Sequence, residues 1–357
     1  TTHYRGLPWE ETRDGVRIVR AIARRKRADR SMAYEQISFI LGGGLRALPL
    51  AMRRKPDVVL AFFGMPSGAI ALPLKWLFGI PYVVSLRGGD VPGFRPYDFA
   101  LYHKMIGPLL RVIWRQAGAV IANSGGLRSL AQLFDRFVPI GIIPNGVDPE
   151  YFAPGCSSSA GCSSSAGCDL SVPPRDWDPP RMLFVGRVVY QKGLDLLLHA
   201  LGNLREIPWE LTVVGDGPQR PPLEKLADSL DIGERAHFRG WKKGAALLAA
   251  YHHANLFAYP SRHEGMPNAV LEAMGSGLPV IASRIAGNEE LVIPGETGLL
   301  IEPENQQALE KALRNLLTNP QRRQQMGAAG RQRASEHYTW DKMAKKYLSV
   351  LTRIHNS

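Results

Sequence analysis

Cysteine is scarce in this 357-residue chain, and all of it sits in one place. Cys156, Cys162 and Cys168 are the only three; the first two open repeats of Gly-Cys-Ser-Ser-Ser-Ala and the third follows as Gly-Cys. Five residues between successive thiols match no common zinc spacing, and no histidine is nearby, so no metal site is expected there. Serine- and glycine-rich composition of this kind predicts a flexible linker instead. Long apolar runs are also missing. The best candidate for a membrane span, Val58–Leu74, is uncharged but broken by Gly64, Pro66, Ser67 and Pro73. It falls short of the roughly 20 apolar residues a bilayer requires. A buried strand followed by a buried helix is expected there, in a protein that is cytoplasmic, soluble or peripheral. Acidic residues are outnumbered, 32 against 44 Lys and Arg.

The basic excess is unevenly placed. Residues 1–150 carry 21 Lys and Arg against 11 Asp and Glu, hence +10; the remainder carries 23 against 21, hence +2. A basic half suits nucleic acid, an anionic membrane or a phosphorylated acceptor. No nucleic-acid fold signature accompanies it, and aromatics are not interleaved with the basic residues, so an anionic membrane surface or acceptor ranks ahead of nucleic acid. The run Arg17, Arg20, Arg24, Arg25, Lys26, Arg27 and Arg30 is ambiguous. Arg17, Arg20, Arg24 and Arg27 would share a helical face, whereas Val16-Arg17-Ile18 reads as strand. Docking on an anionic membrane and an ordinary solvated charge run both fit it.

Apolar runs alternate with helical stretches, which argues for parallel βαβ units. Strands are expected at 57–63, 81–86, 118–122 and 139–143, and again at 181–185, 210–214, 236–238, 254–259, 279–282 and 298–301. The stretch 154–180, rich in Pro, Ser and Gly, divides the two series. The expected organisation is therefore a first domain at 1–153, a linker at 154–180 and a second domain at 181–339. Three helical segments close the chain, the last over about 340–354.

The most informative segment is 261–274, bracketed by Glu264 and Glu272. An apolar strand ends at Pro260, a loop carries Glu264 and Gly265, and helical spacing begins near Pro267. Ligands of open α/β sheets bind beyond the carboxyl ends of the strands, and helix N-termini attract phosphate. A carboxylate accepts two hydrogen bonds at once, which suits vicinal hydroxyls. Acid, amides and acid can thus read sugar, diphosphate and ribose in order; a capped surface helix with two unrelated acids is the alternative.

This segment resembles the Glu-x7-Glu signature of the retaining glycosyltransferases of family 4, also called glycosyl transferases group 1. Further pieces follow that family's order: Phe184-Val185-Gly186-Arg187, Gln191-Lys192-Gly193, Val213-Val214-Gly215-Asp216-Gly217-Pro218, Phe238-Arg239-Gly240-Trp241, Gly277–Ala282 and Glu296–Leu299. In the first half, Arg87-Gly88-Gly89-Asp90 and Ile143–Asp148 fit more loosely. The resemblance implies an α/β protein of two Rossmann-like domains facing a cleft (GT-B), with parallel sheets and a terminal helix, 340–357, crossing to the first domain. The family's opening strand and Gly-rich loop have no counterpart, so an incomplete first domain is expected.

The resemblance also assigns roles. Arg187 and Lys192 would neutralise a diphosphate leaving group without a metal, Lys192 from a first helical turn, where a cation opposes the macrodipole unless an anion docks. Glu272 would hold the ribose hydroxyls and Glu264 those of the donor sugar. Gly186, Gly215, Asp216, Gly265, Met266, Asn268 and Ala269 would line the nucleotide, although Gly215-Asp216-Gly217 also fits a plain tight turn. Pro267, lacking N–H, cannot contribute an amide. Trp241 fits either a base seat or the core, and His263 either a general base or a surface histidine. On the acceptor side stand Arg87, Gly88 and Asp90, although many family members have histidine at the position of Arg87 and a helix-cap role suits Asp90 equally. Asn145 and Asp148 read as structural.

The implied function is a retaining, metal-independent transfer of a hexose from a nucleoside diphosphate sugar to a hydroxyl of a glycan or lipid-linked acceptor. Two alternatives stay open: a sugar-nucleotide epimerase of related fold, calling on Asp90 and His103, and a non-catalytic nucleotide-sugar-binding protein.

Overall fold

The computed structural model describes residues 1–3, 6–24, 33–94, 96–154 and 178–356. Arg25, Lys26, Arg27, Arg30 and the three cysteines lie outside the described residues. The chain divides into two compact units, one of Thr1–Ile143 with Lys346–Ser357 and one of Pro144–Lys345.

The first unit opens with an antiparallel hairpin, β1 (Glu10–Arg13) and β2 (Val16–Val19), Glu10 facing Val19. Of the two readings of the basic run, strand therefore holds at 16–19. After α1 (Ala33–Arg54) come β3 (Val59–Phe62), α2 (Ala69–Phe78), β4 (Tyr82–Leu86), α3 (Pro96–Gln116), β5 (Ala119–Ala122), α4 (Gly125–Phe134) and β6 (Ile140–Ile142). The four later strands pair in parallel in sequential order. All five residues of β4, Tyr-Val-Val-Ser-Leu, are buried, as expected of a parallel strand covered on both faces. Gly79, at φ 69°, ends α2 in the left-handed conformation glycine adopts without penalty. Ser124 caps α4, its side chain accepting from Leu127 N. The span candidate is indeed strand then helix, and among the described residues no helix is long and apolar enough to cross a membrane.

The second unit contains β7 (Arg181–Val185), α5 (Leu194–Gly202), β8 (Glu210–Val214), α6 (Arg220–Ser229), β9 (Ala236–Phe238), α7 (Ala245–His252), β10 (Leu256–Tyr259), α8 (Asn268–Gly275), β11 (Val280–Ser283), α9 (Ala286–Leu291), β12 (Gly298–Ile301), α10 (Gln306–Leu317), α11 (Pro320–His337) and the start of α12 (Trp340–His355), whose remainder from Lys346 belongs to the first unit. Its six strands are all parallel in the order β12-β11-β10-β7-β8-β9. The first strand, β7, is central; β8 and β9 build outward on one side and β10 to β12 on the other. That is the doubly wound order, and its reversal point lies between β7 and β10. Leu183, Phe184, Val213, Phe257, Ala258 and Ile281 form its fully buried centre. All ten strands expected from the apolar runs are present, with ends displaced by no more than two residues.

Three arginines of α11 hold this unit's helix ends. A helix C-terminus leaves carbonyls without intrahelical partners and carries partial negative charge. Arg323 donates to the carbonyls of Leu316 and Leu317 at the end of α10. Arg333 serves Glu290 and Leu291 at the end of α9. Arg331, 1% exposed, donates to Gly275 O at 2.5 Å at the end of α8 and to Pro149 O at 3.1 Å. The helix that carries Glu272 is thereby anchored from its far end.

Candidate functional site

The site is built at the β7/β10 reversal point of the second unit. Beyond β7 the chain runs through Gly186 and Arg187 into a short 3-10 turn, Tyr190–Lys192, and α5 starts only after Gly193. Lys192 thus precedes the helix and is not in its first turn as expected, because Gly193 at φ 67° breaks the turn from α5. Beyond β10 the segment 260–267 leads to α8, with Pro267 at the cap position in extended conformation.

Glycines let these loops touch backbone to backbone. A Cβ at Gly215, where φ is 137°, would fall 1.9 Å from Gly186 O; one at Gly217 would fall 2.3 Å from Val188 O. Gly193 approaches Pro260 O in the same manner, and Gly287 approaches Gly265 O. The glycines of the 215–217 turn therefore pack neighbouring strand ends together.

Two strips then zip the 190–192 turn to the 261–264 loop. Arg262 N donates to Gln191 O, and the Gln191 side chain donates to His263 O. The buried Arg262 guanidinium forks onto Asp195 at 2.9 and 2.7 Å, reaches Glu304 and Tyr190 O, and lies 3.8 Å from the Tyr190 ring centroid. The result is that Lys192 and Glu264, 72 residues apart, form an ion pair at 2.5 Å with side chains only 12% and 8% exposed. Lys192 also donates to the Tyr259 hydroxyl at 2.6 Å. Burial, reinforced by the Glu264 carboxylate, holds that hydroxyl well above its ordinary pKa, with Arg187 close enough to oppose the shift slightly.

Glu272, on α8, accepts from the Tyr251 hydroxyl at 2.8 Å. Burial raises its pKa, and the Tyr251 hydrogen bond works against that rise. Met266 and Asn268 meet Asn145, whose amide donates to Met266 O at 3.0 Å and to Asn268 Oδ1 at 2.8 Å. Ala269 begins the same helix, its carbonyl 3.4 Å from the Tyr251 hydroxyl. Gly265 is pinned through Gly287. Asp216 accepts from Gly217 N and pairs with Arg220 at 3.5 Å. Trp241 is half exposed, so the core reading does not hold for it.

In the first unit, Asp90 is buried and accepts from the backbone N–H groups of Gly64, Arg87 and Gly88. Burial raises its pKa against those three bonds. It shapes its own loop and caps no helix, since α3 begins only at Pro96. His103 is also buried and contacts Gly89 O at 3.0 Å. Arg87 lies over the Phe62 ring, 4.7 Å from its centroid, and donates to the Tyr347 hydroxyl at 3.3 Å, which in turn bonds Ser85. Gly88, at φ 124°, packs against the Phe94 ring.

The second unit thus gathers Arg187, Lys192, Glu264 and Glu272 around one strand-order reversal. Residues 171–333 match the family described as Glycosyl transferases group 1, and residues 3–151 match Glycosyltransferase Family 4. The GDP-mannose-dependent alpha-(1-6)-phosphatidylinositol monomannoside mannosyltransferase of Mycolicibacterium smegmatis is 31% identical over 307 residues, covering 83% of this chain and 77% of that one. This chain belongs to the family 4 glycosyltransferases. It is an enzyme of the hexosyltransferase type. The sulfoquinovosyl transferase SQD2 of Arabidopsis thaliana is 29% identical over 315 residues, 86% of this chain but 58% of that relative's length. In fold, the glycosyltransferase resembles the sucrose-phosphate synthase of Thermosynechococcus elongatus, with a TM-score of 0.82 at 23% identity over 99% of this chain and 87% of the other. Those structures are of the GT-B type, with two Rossmann-like domains.

Sequence reasoning gave no role to four residues that hold the glycosyltransferase's site together: Tyr251, Tyr259, Arg262 and Gln191. Gln191 and Arg262 lie inside segments already quoted, Tyr259 ends the strand before one, and Tyr251 lies outside them. A tyrosine in an otherwise apolar strand or helix was the available signal, because a buried hydroxyl has to find a partner.

Proposed function

We propose that the glycosyltransferase moves a hexose from a nucleoside diphosphate sugar to a hydroxyl of a glycan or lipid-linked acceptor, with retention at the anomeric carbon and without a metal. The observation that carries this reading is the buried cation–carboxylate pair Lys192–Glu264 beside Arg187, at the point where doubly wound sheets bind ligands. Glu272 would accept two hydrogen bonds from the ribose, and Glu264 would accept from hydroxyls of the sugar. Arg187, Lys192 and the first-turn amides of α8 would stabilise the diphosphate as it departs, where negative charge develops. The diphosphate oxygen would take the proton of the attacking acceptor hydroxyl on the same face, which gives retention. The second unit is then the donor-binding domain, and the first, with Arg87, Gly88 and Asp90, the acceptor domain. The +10 charge of residues 1–150 favours an anionic acceptor or membrane surface on the cytoplasmic side. The relative named for phosphatidylinositol monomannoside supports a lipid-linked acceptor. The epimerase reading has less support, since Asp90 and His103 bond to loop backbone.

Calorimetric titration with UDP, GDP and ADP, no metal added, tests the donor site. One diphosphate is expected to bind, and Glu272→Ala to weaken it at least about tenfold, as loss of hydrogen bonds to a charged group does. Binding that needs a divalent cation, or that survives Glu272→Ala unchanged, would refute the assignment. With the matching sugar nucleotide, an inverted product anomer would refute retention.

A further inference from the structure

The Tyr259 hydroxyl lies at the centre of the proposed donor site, yet no motif includes it. Tyr259 closes β10 and is 2% exposed. Its ring is fixed on two sides: Phe257 stacks at 5.6 Å and 22°, and Phe184 lies at 5.8 Å. A Cβ at Gly186 would sit 3.7 Å from the hydroxyl oxygen, so the Gly186–Arg187 turn rests directly on this side chain. The hydroxyl accepts from Lys192 Nζ at 2.6 Å, and the same ammonium pairs with Glu264. The ammonium also lies 5.1 Å from the Tyr259 ring centroid.

We infer that Tyr259 is a positioning residue for diphosphate recognition: its hydroxyl holds the Lys192 ammonium beside the Gly186–Arg187 turn, where it meets the phosphates of a nucleoside diphosphate. This rests on the donor-site reading given above. Lys192 is shared between a carboxylate of its own protein and the proposed ligand. With Glu264 as its sole partner, the ammonium could swing about that carboxylate. The Tyr259 hydroxyl is a second, buried acceptor that fixes where the ammonium stands, next to the Gly186–Arg187 turn. The prediction is specific to phosphate. Ribose recognition through Glu272 has its own tyrosine, Tyr251.

The test is Tyr259→Phe, which removes the hydroxyl and keeps the ring. Affinities for the nucleoside diphosphate that binds wild type and for the corresponding monophosphate are measured by calorimetry, with thermal unfolding of both proteins. The diphosphate-to-monophosphate affinity ratio is expected to fall about tenfold, the usual scale for a hydrogen bond to a charged group. Monophosphate affinity and melting temperature should barely change. In a Lys192→Met background the same substitution should leave the ratio unaltered, because the hydroxyl acts through Lys192. An unchanged ratio in a folded Tyr259→Phe protein would overturn the inference alone. Equal loss of both nucleotides, or an equal drop in the Lys192→Met background, would assign Tyr259 a merely structural role. Failure of wild type to bind any of these nucleotides would overturn the donor-site reading and this inference with it.

Discussion

Arg331→Met should unseat the helix that carries Glu272. The arginine is 1% exposed, and its guanidinium serves the carbonyls of Gly275 and Pro149. Methionine has nearly the same length and no charge, so it creates no large cavity and leaves no stranded cation. What it removes is the donor. Two buried carbonyls lose their partner, at about 1–3 kcal/mol each, and the C-terminus of α8 loses a cation worth up to ~1 kcal/mol. Part of this is recovered by apolar packing, so a net loss of about 3 kcal/mol is expected. For a unit of this size, 1 kcal/mol corresponds to about 2–4 °C in Tm, so melting should fall by about 6–12 °C. Thermal unfolding followed through the fluorescence of Trp209, which is buried in the same unit, reads this directly. Both bonds leave one nitrogen, Nη1, so Arg331→Lys, which keeps a charged donor on a shorter stem, should fall between the two. A Tm within about 2 °C of wild type for Arg331→Met would mean that the carbonyls find other donors and that Arg331 does not anchor α8.

Two further outcomes follow from the site. Gly215→Ala places a Cβ 1.9 Å from Gly186 O at a φ of 137°, so stability should drop by about 3 kcal/mol or more and diphosphate binding with it. Gly44→Ala, with nothing near its Cβ and a place inside α1, should stabilise by ~0.5–1 kcal/mol; equal urea midpoints for the two variants would refute this packing account. Glu272 provides a pH dependence. Its folded pKa is raised by burial, so its contribution to stability is full below the unfolded pKa and is lost as pH rises through the folded one. The proposed ribose contact needs the ionised form, so nucleotide affinity should fall on acidification at a higher pH than an ordinary carboxylate would give. Tyr251→Phe removes the bond that opposes the shift and should move that fall to still higher pH, which calorimetry across the acid-to-neutral range would detect. A profile unchanged by Tyr251→Phe would show that the tyrosine does not tune Glu272.

Much of this architecture was legible in the sequence, and the parts that were not have a common physical cause. Parallel strands buried on both faces read as short apolar runs, so β4, β7 and β10 could be placed from Tyr82–Leu86, Arg181–Val185 and Leu256–Tyr259 alone. The position of Glu264 on a loop and Glu272 on the following helix came from the change of period near Pro267. Long-range pairing was not legible. Nothing local to Lys192 shows that it meets a carboxylate 72 residues away; that depends on Gly193 stopping the turn and on Arg262 and Gln191 joining two loops. Asp90 shows the same limit in the other direction. A carboxylate after two glycines suggests a ligand, but three backbone N–H groups already occupy it.

The Lys192–Glu264 pair bears on how the proposed site would neutralise a diphosphate. A departing diphosphate needs positive charge that is already in place, since charges that reorient during reaction cost energy at the moment it is most needed. In the proposed role Glu264 does two things: it offers oxygens to sugar hydroxyls, and through its ion pair it holds the Lys192 ammonium at the site before the ligand arrives. The pair is also self-limiting, because a carboxylate left beside a diphosphate repels it. The arrangement works only if Glu264 turns its charge to hydrogen bonds from the sugar as Lys192 turns to phosphate. Sugar and diphosphate should then bind cooperatively, each releasing one member of the pair to the other ligand group, and a nucleoside diphosphate without its sugar would meet a site only half prepared.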